Sequence, residues 1–281
     1  MILFKKIAPL AAHLQQASNK GSRIGFAPTM GALHEGHLSL IEASKKQNEL
    51  TVASIFVNPA QFNDPKDFEK YPVTLEKDIA FLLRAGCDIL FLPSVQEVYP
   101  HGMDETQHYG LGYLETLLEG KYRPGHFQGV CRVMERLLSI VEPDELFMGQ
   151  KDYQQCMVVK RLITMMSSSA KLYPCATLRE ADGLAMSSRN LRLSEEERKN
   201  ATGISKALLY IKENIRSGNL GGLISESKLI LDKNKFRVDY IEIASAETLQ
   251  LVNEWDGKQK IIALIAAFQN EVRLIDNMLL N

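Results

Sequence analysis

Residues 23–41 read RIGFAPTMGALHEGHLSLI, and this stretch decides how the first half of the chain folds. The apolar run over residues 24–27 predicts a buried strand that ends near Pro28 and Gly31. Leu38 and Ile41 then recur at helical spacing, as in a helix packed on a sheet. A strand, a glycine-containing turn and a helix leave unpaired backbone N–H groups at the turn, and the helix dipole adds positive charge there. We therefore predict a phosphate site at this turn.

Two histidines, His34 and His37, stand in the turn. Their spacing puts both imidazoles on one side of the first helical turn, where they can donate to phosphate oxygens and offset charge on a leaving pyrophosphate. A solvated pair of surface histidines is the plainer alternative. A zinc site fits less well, because HEGH is one residue short of H-E-x-x-H and no third ligand is evident.

The composition is that of an ordinary globular protein, with 281 residues, 45% hydrophobic and 24% charged. A net charge of -1 without a basic stripe argues against nucleic acid as the main partner. We see no signal-peptide pattern and no run near the roughly 20 apolar residues of a spanning helix, so we expect a cytoplasmic protein without a membrane partner. We expect the four scattered cysteines to be reduced core residues: Cys87, Cys131, Cys156 and Cys175.

A second buried strand is predicted over residues 50–57, where β-branched residues are frequent. Asn58 and Gln61 follow its carboxyl end, which is the edge where open α/β sheets bind ligands. Their amides can orient a small carboxylate or hydroxyl through paired donors and acceptors. Alternatively, Asn58 only caps the turn.

The following segments predict a parallel sheet and a loop for which two functions are possible. A helix that ends at Gly86 precedes a third strand, which completes a right-handed βαβ unit. Farther on, Lys121, Arg123 and His126 form a cationic cluster around a Pro-Gly turn. The cluster could close over an anionic ligand or be an ordinary exposed loop.

Residues 145–166 repeat the strand–turn–helix pattern. Gly149 permits close backbone approach, Lys151 is a compact charge suited to a phosphate, and Asp152 can accept from ribose hydroxyls. Of Gln154 and Gln155, which begin the helix, only one can face the crevice. Neither of the two common nucleotide fingerprints, the P-loop and G-x-G-x-x-G, occurs in the chain.

The later chain changes character near residue 193. Before it, a turn is predicted at residues 182–183, and Ser187, Ser188 and Arg189 offer two hydroxyls and a guanidinium to β- and γ-phosphate oxygens. That triplet could also start a helix, although the capping box of Ser194 and Glu197 marks a later helix N-terminus. Amphipathic helices near 195–217 and 223–234 precede three short strands, which indicates a smaller α+β domain. We predict two domains, 1–176 and 177–281.

Five motifs, in this order and at these separations, resemble those of the pantoate–β-alanine ligase family: PTMGALHEGH, FVNPAQF, RPGHF, GQKDYQQ and DGLAMSSRN. The resemblance runs over the whole chain, including the terminal RLIDN. It implies an N-terminal Rossmann-like parallel-sheet domain of the nucleotidyltransferase superfamily, with its His-x-Gly-His signature at residues 34–37, and a smaller C-terminal α+β lid domain. It also implies a homodimer joined through the N-terminal domains.

The implied reaction has two steps. ATP and pantoate give an enzyme-bound pantoyl adenylate and pyrophosphate, and the amine of β-alanine then attacks the adenylate to give pantothenate and AMP. His34, His37 and Lys151 would be the catalytic groups, with His37 also the usual proton donor. The residues implied in ATP binding are Met30, Gly31, Ala32, Leu33, His34, Glu35, Gly36, His37, Gly149, Gln150, Lys151, Asp152, Leu178, Met186, Ser187, Ser188 and Arg189.

The resemblance also suggests contacts for the other substrates and for the metal. Gln61 and Gln155, with Asn58 beside them, would bind pantoate, and Gln61 would bind β-alanine as well. Mg²⁺ would bridge phosphate oxygens, with Asp78 as an outer contact. The chain departs from the family pattern at Gln150, Gln128, Cys131 and Arg132, which bears on pantoate or dimer contacts and not on the reaction.

Two rival functions are open at this point. One is a nucleotidyltransferase of the same fold that uses a phosphate acceptor, which should need more basic residues than this chain offers near its amides. The other is a nucleotide-binding module that has lost catalysis, whose expected sign is a broken histidine pair or a missing Lys151. Both of those features are intact.

Overall fold

The computed structural model describes residues 1–61, 69, 71–102 and 106–281, so that Phe62, the last residue of one motif, lies outside it. The described chain forms two compact units. Unit 1 comprises Met1–Gly149 and Gln154–Ala176, and unit 2 comprises Gln150–Tyr153 and Thr177–Asn281. The segment at 150–153, which the sequence places in the first domain, therefore belongs to unit 2.

Unit 1 is a parallel sheet with helices in its connections. Its strands are β1 (Ile2–Phe4), β2 (Ile24–Thr29), β3 (Leu50–Ile55), β4 (Ile89–Phe91), β5 (Glu145–Gly149) and β6 (Lys171–Cys175). Its helices are α1 (Ile7–Ser18), α2 (Glu35–Lys45), α3 (Leu75–Arg84), α4 (Val95–Val98), α5 (Glu119–Tyr122), α6 (His126–Val141) and α7 (Tyr153–Met165), of which the first residue of α7 belongs to unit 2. The strand order is β1-β4-β3-β2-β5-β6, with every pair parallel, and this confirms the predicted Rossmann-like fold class.

The central strands β2 to β5 are largely apolar and mostly buried, as expected for a parallel sheet that is covered on both faces. Phe26, Phe91 and Phe147 are completely buried at its centre. The strand order reverses between β2 and β5, since β3 and β4 lie on one side of β2 while β5 and β6 lie on the other. Ligands of such sheets bind at this switch point, beside the carboxyl ends of the strands. The two turns predicted to bind phosphate follow the ends of these two strands.

Unit 2 consists of helices followed by antiparallel strands, as predicted. Its elements are α8 (Glu195–Ala201), α9 (Gly203–Asn214), β7 (Gly218–Asn219), α10 (Gly221–Lys233), β8 (Arg237–Ser245), β9 (Glu254–Trp255), β10 (Ile261–Gln269) and β11 (Val272–Leu279). The sheet order is β11-β10-β8, and β7 pairs separately with β9. None of the described helices is long and apolar enough to cross a membrane.

Two helix predictions in unit 2 have different outcomes. The capping box is confirmed, because the Ser194 side chain accepts from the Glu197 N–H while the Glu197 carboxylate accepts from the Ser194 N–H. The single helix over 195–217 is wrong, since α8 and α9 meet at Thr202 and α9 ends at Asn214. Gly203, a weak helix former, stands at the break.

Candidate active site

The turn between β2 and α2 carries both histidines. His34 immediately precedes α2, and His37 lies in its first turn. The backbone N–H of His34 donates to His37 Nδ1 at 3.3 Å, and the two ring centroids are 4.0 Å apart. Because Nδ1 is the acceptor in this bond, the neutral His37 ring carries its proton on Nε2. His37 can thus donate from Nε2 to a bound group.

Asp78, on α3, hydrogen-bonds to the backbone of this turn. Its Oδ2 accepts from the Ala32 N–H at 3.0 Å, and its Oδ1 accepts from the Leu33 N–H at 2.8 Å. The Thr74 hydroxyl donates to Oδ1 as well, at 3.0 Å, and the residue is only 1% exposed. Asp78 therefore positions the turn, and the outer magnesium contact expected of it from the sequence stays a prediction.

The turn has a left-handed backbone at two consecutive residues, Gly31 with a φ of 84° and Ala32 with a φ of 49°. A Cβ on residue 31 would lie 3.1 Å from Asp78 Oδ2, so glycine is needed there for its shape as well as its φ. Such successive N–H groups form a nest for an anion, and here Asp78 fills it. The remaining phosphate donors are the N–H groups at the start of α2, on Glu35 and Gly36.

Asn58 is completely buried and acts as the cap of the turn that follows β3. Its Oδ1 accepts from the Ala60 N–H at 3.3 Å and from the Tyr99 hydroxyl at 3.0 Å. Burial raises the pKa of Tyr99 to about 12, so this hydroxyl keeps its proton at neutral pH. Asn58 Nδ2 donates to Gly129 O and to Gln61 Oε1, both at 3.3 Å. The amide of Asn58 is thus engaged within the protein and orients Gln61, as in the turn-capping alternative, and its contact with pantoate stays a prediction.

Gln61 is fixed by two further contacts. Its Nε2 lies 2.8 Å from Met30 Sδ, and its carbonyl oxygen lies 2.9 Å from His126 Nδ1. Arg123 Nη1 lies 3.1 Å from His126 Nε2. Since a guanidinium can only donate, Nε2 accepts and Nδ1 donates to Gln61. Arg123 and the buried His126 therefore support the turn that contains Gln61. The sequence left open whether Lys121, Arg123 and His126 close over an anionic ligand, and of these Lys121 is exposed.

The two glutamines at the start of α7 differ in burial. Gln154 is 3% exposed and donates to Leu114 O at 2.7 Å and Leu117 O at 2.9 Å, so it holds the preceding loop. Gln155 is partly exposed and is the candidate for a ligand contact. Gln128, one of the departures from the family pattern, pairs with the Tyr109 backbone at 2.9 and 3.0 Å, which gives this departure a loop-holding role.

In unit 2, Lys151, Ser187 and Arg189 line one pocket, together with Asp276 and Arg273. Ser187 Oγ accepts from the Arg189 N–H at 3.2 Å and caps a 3₁₀-helix. This 3₁₀-helix spans Ser188–Arg192. The backbone of residues 187–189 therefore matches the alternative in which this triplet starts a helix. Two of its side chains nevertheless reach the same pocket as Lys151. Gly149 ends β5, and Asp152 is exposed.

A short hairpin brings Leu178 beside Met186. The Met186 N–H donates to Leu178 O at 3.0 Å, and Arg179 and Ala185 form an antiparallel bridge. The predicted turn at residues 182–183 is confirmed, with Gly183 at a φ of 89°. Two segments expected to contact ATP are thus adjacent in space. Sequence reasoning missed the buried residues that hold them, which include Asp276 and Asn277 on β11.

Comparisons with known proteins agree over the whole chain. A family model described as pantoate-beta-alanine ligase matches residues 2–279. The pantothenate synthetase of Cytophaga hutchinsonii is 43% identical, with 100% of this chain and 99% of the relative covered. The crystal structure of the Thermus thermophilus pantothenate synthetase has a TM-score of 0.87 at 40% identity, with 99% of each chain covered. The pantoate-beta-alanine ligase of Francisella tularensis, described as complexed with beta-gamma ATP and beta-alanine, has a TM-score of 0.84 at 36% identity, with 99% of this chain and 97% of that chain covered.

Proposed function

The chain belongs to the pantoate–β-alanine ligase family, and from that premise we propose which of its residues act on ATP, pantoate and β-alanine. The enzyme uses ATP to ligate pantoate to β-alanine, through a pantoyl adenylate, and releases AMP and pyrophosphate. The observation that carries the residue assignment is the histidine turn held by Asp78 at the switch point of the sheet. It presents two imidazoles and a helix N-terminus where a triphosphate can lie.

The first step brings two anions together, because the pantoate carboxylate attacks the α-phosphate of ATP. Catalysis of this step rests mainly on charge neutralisation and positioning. His34 and His37 contact the phosphates, with His37 donating from Nε2 to oxygen as pyrophosphate leaves. Lys151 and Arg189 neutralise the β- and γ-phosphates. The bond to Ser187 Oγ uses an acceptor site of that hydroxyl, whose proton can be donated to a phosphate oxygen.

Mg²⁺ enters this proposal as part of the substrate, bound to the triphosphate. The carboxylate oxygens of Asp78 face the amides of the histidine turn, so phosphate oxygens are the fitting ligands for the ion. When bound, Mg²⁺ supplies further neutralisation of phosphate charge. The protein's own contribution is the placement of the cationic side chains around the triphosphate.

In the second step, the neutral amine of β-alanine attacks the acyl carbon of the adenylate, AMP leaves with the bonding electron pair, and the nitrogen loses one proton to solvent as the amide forms. Gln61 and Gln155 orient pantoate through its hydroxyls and carboxylate, and Gln61 also meets β-alanine. Asp152 accepts from the ribose, and the Leu178 backbone meets adenine. The other ATP contacts expected from the sequence, the homodimer and the cytoplasmic location belong to the same proposal.

The test is pyrophosphate–ATP exchange with pantoate present and β-alanine absent. Exchange that depends on pantoate is expected, because adenylate formation is reversible, and later addition of β-alanine should release AMP. Absence of exchange, with ATP binding still seen by calorimetry, would contradict the proposal. It would favour the transferase that uses a phosphate acceptor.

A further inference from the structure

The terminal RLIDN motif, at residues 273–277, has no part in the mechanism above, although its last two residues are buried. Asn277, on β11, is 2% exposed. Its Nδ2 donates to Gln150 O at 2.9 Å and to Lys151 O at 2.8 Å. Its Oδ1 lies 3.5 Å from Gln150 Nε2. One carboxamide therefore holds the carbonyl groups on both sides of the Cα atom that carries the Lys151 side chain.

The preceding residue holds a second segment of the same pocket. Asp276 is 4% exposed and receives both guanidinium arms of Arg179, at 2.6 and 3.0 Å. Arg179 also donates to Gly183 O at 3.0 Å and to Asn277 O at 3.3 Å. A bidentate contact of this kind fixes orientation as well as distance. The hairpin of residues 178–186 is therefore attached to the same two residues of β11 as the Lys151 segment.

The hairpin leads directly into the Ser187 segment. Asn190, within the 3₁₀-helix, donates from Nδ2 to Ala185 O at 3.1 Å and to Glu180 Oε1 at 2.9 Å, which ties that helix to the hairpin. Asp276 itself lines the pocket that Lys151 and Ser187 line. All these contacts lie within unit 2. Residues far apart in the sequence thus share a single anchor.

We propose that Asp276 and Asn277 are positioning residues for ATP, with Asn277 setting the Lys151 backbone and Asp276 setting the hairpin through Arg179. The inference rests on the proposed function, because it takes Lys151 and Arg189 as the phosphate contacts. A lysine side chain is long and flexible, so the position of its charge depends on a fixed backbone. A displacement of about 1 Å at such a group costs about 100-fold in rate.

The test uses Asn277→Ala, which removes the donors to both carbonyls. We expect pantoate-dependent exchange to show an ATP KM at least about tenfold higher, or a rate at least about tenfold lower, with the KM for pantoate within about twofold of wild type. The second half-reaction, from supplied pantoyl adenylate and β-alanine, should fall far less than exchange does, because the pyrophosphate that Lys151 contacts is already gone. A variant that is merely unstable would lose both half-reactions.

A matched control separates positioning from loss of packing. Gln269, on the neighbouring strand β10, is also 2% exposed and donates to the carbonyl oxygen of Asn234. Gln269→Ala should lower Tm comparably and leave the ATP KM unchanged. Equal losses of exchange in the two variants would overturn the proposal. If Asn277→Ala does not fold, Asn277→Ser takes its place, because serine supplies a single hydroxyl donor. The ATP KM of Asn277→Ser should rise by a smaller factor, and an unchanged ATP KM would likewise overturn the proposal.

A double variant separates this inference from the function on which it rests. If Asn277 acts through Lys151, adding Asn277→Ala to Lys151→Ala should reduce exchange far less than it does in wild type. Multiplicative losses, with Lys151→Ala itself strongly impaired, would overturn the positioning role alone. Near-normal exchange in Lys151→Ala would overturn the assigned phosphate role of Lys151, and the positioning role with it.

Discussion

Asp78 offers the sharpest test of the histidine turn. In Asp78→Ala the N–H groups of Ala32 and Leu33, both in residues only 4% exposed, would lose their acceptor. Each buried unsatisfied donor costs about 1–3 kcal/mol. The left-handed backbone of Ala32 carries about 1–2 kcal/mol more, which these bonds now offset. The total, about 3–8 kcal/mol, approaches the whole stability of an ordinary domain, so we expect the turn to rearrange.

Asp78→Asn is the gentler change, because it keeps the shape of the side chain. One carboxylate oxygen becomes an NH₂ group that faces a backbone N–H, so a bond is replaced by a repulsive contact. A cost of about 1–3 kcal/mol lowers the equilibrium constant between the intact and the rearranged turn by about 5- to 150-fold. Pantoate-dependent exchange should fall by up to that factor at saturating substrates.

A magnesium titration of the exchange rate decides between the two roles of Asp78. For a residue that positions the turn, the rate of Asp78→Asn falls while the midpoint of the magnesium curve stays at its wild-type value. Thr74→Val is the control, since it removes one donor to the same carboxylate and leaves both backbone bonds in place. Recovery of the wild-type rate at high magnesium would refute the reasoning and restore Asp78 as an outer metal contact.

Four further predictions concern the remaining site and the core. Lys151→Ala should lower adenylate formation by about 100-fold or more with Tm unchanged, because a cation on the transferring phosphates is lost, and near-normal turnover would argue against that role. Gln61→Ala should raise the KM for pantoate far more than that for ATP in steady-state assays, and equal rises would contradict a pantoate site. Gly129→Ala should abolish the native turn at Gln61, since the new Cβ would lie 2.0 Å from Ala60 O; a soluble variant with unchanged near-ultraviolet dichroism and pantoate KM would show that this close approach is not required. Burial raises the pKa of the Cys87 thiol to about 11, so between pH 9 and 11 the folded protein keeps a proton that the unfolded chain has lost. The free energy of unfolding should therefore fall over this range, by up to about 1.4 kcal/mol per pH unit more in wild type than in Cys87→Ala, as measured by denaturant titrations. Equal slopes in wild type and variant would contradict that shift.

The sequence predicted the fold well where the pattern was local. The strand–helix order of unit 1 follows from apolar runs and glycine stops, and the strands of unit 2 follow from their β-branched residues. The first strand, β1, was missed. It is three residues long, and Ile2 and Leu3 are 48% and 45% exposed, so no buried run marks it. Its pairing with β4 is a tertiary contact that no local pattern encodes.

The site was predicted in part for the same reason. Local signals identify the histidine turn and the Lys151 segment, but the partners that hold them are distant in the sequence. Asp78 is 46 residues from Ala32, and Asn277 is 126 residues from Lys151. One signal was nevertheless available, because Asp78 shares a helical face with Leu82, which is only 1% exposed. A carboxylate at a core position calls for a partner, and the nearby turn supplies its amides.

The supporting residues explain how activity and stability should be related in this enzyme. Each of them is buried and hydrogen-bonded to a part of the candidate site: Asp78 to the histidine turn, Asn58 to Gln61, and Asn277 to the Lys151 backbone. Removing such a group leaves buried partners unsatisfied, so Tm and the rate should fall together. The Lys151 side chain lines a pocket and takes part in none of these supporting hydrogen bonds, so its removal should lower the rate alone. Measured side by side, Tm and exchange rate therefore separate residues that place the chemistry from residues that perform it.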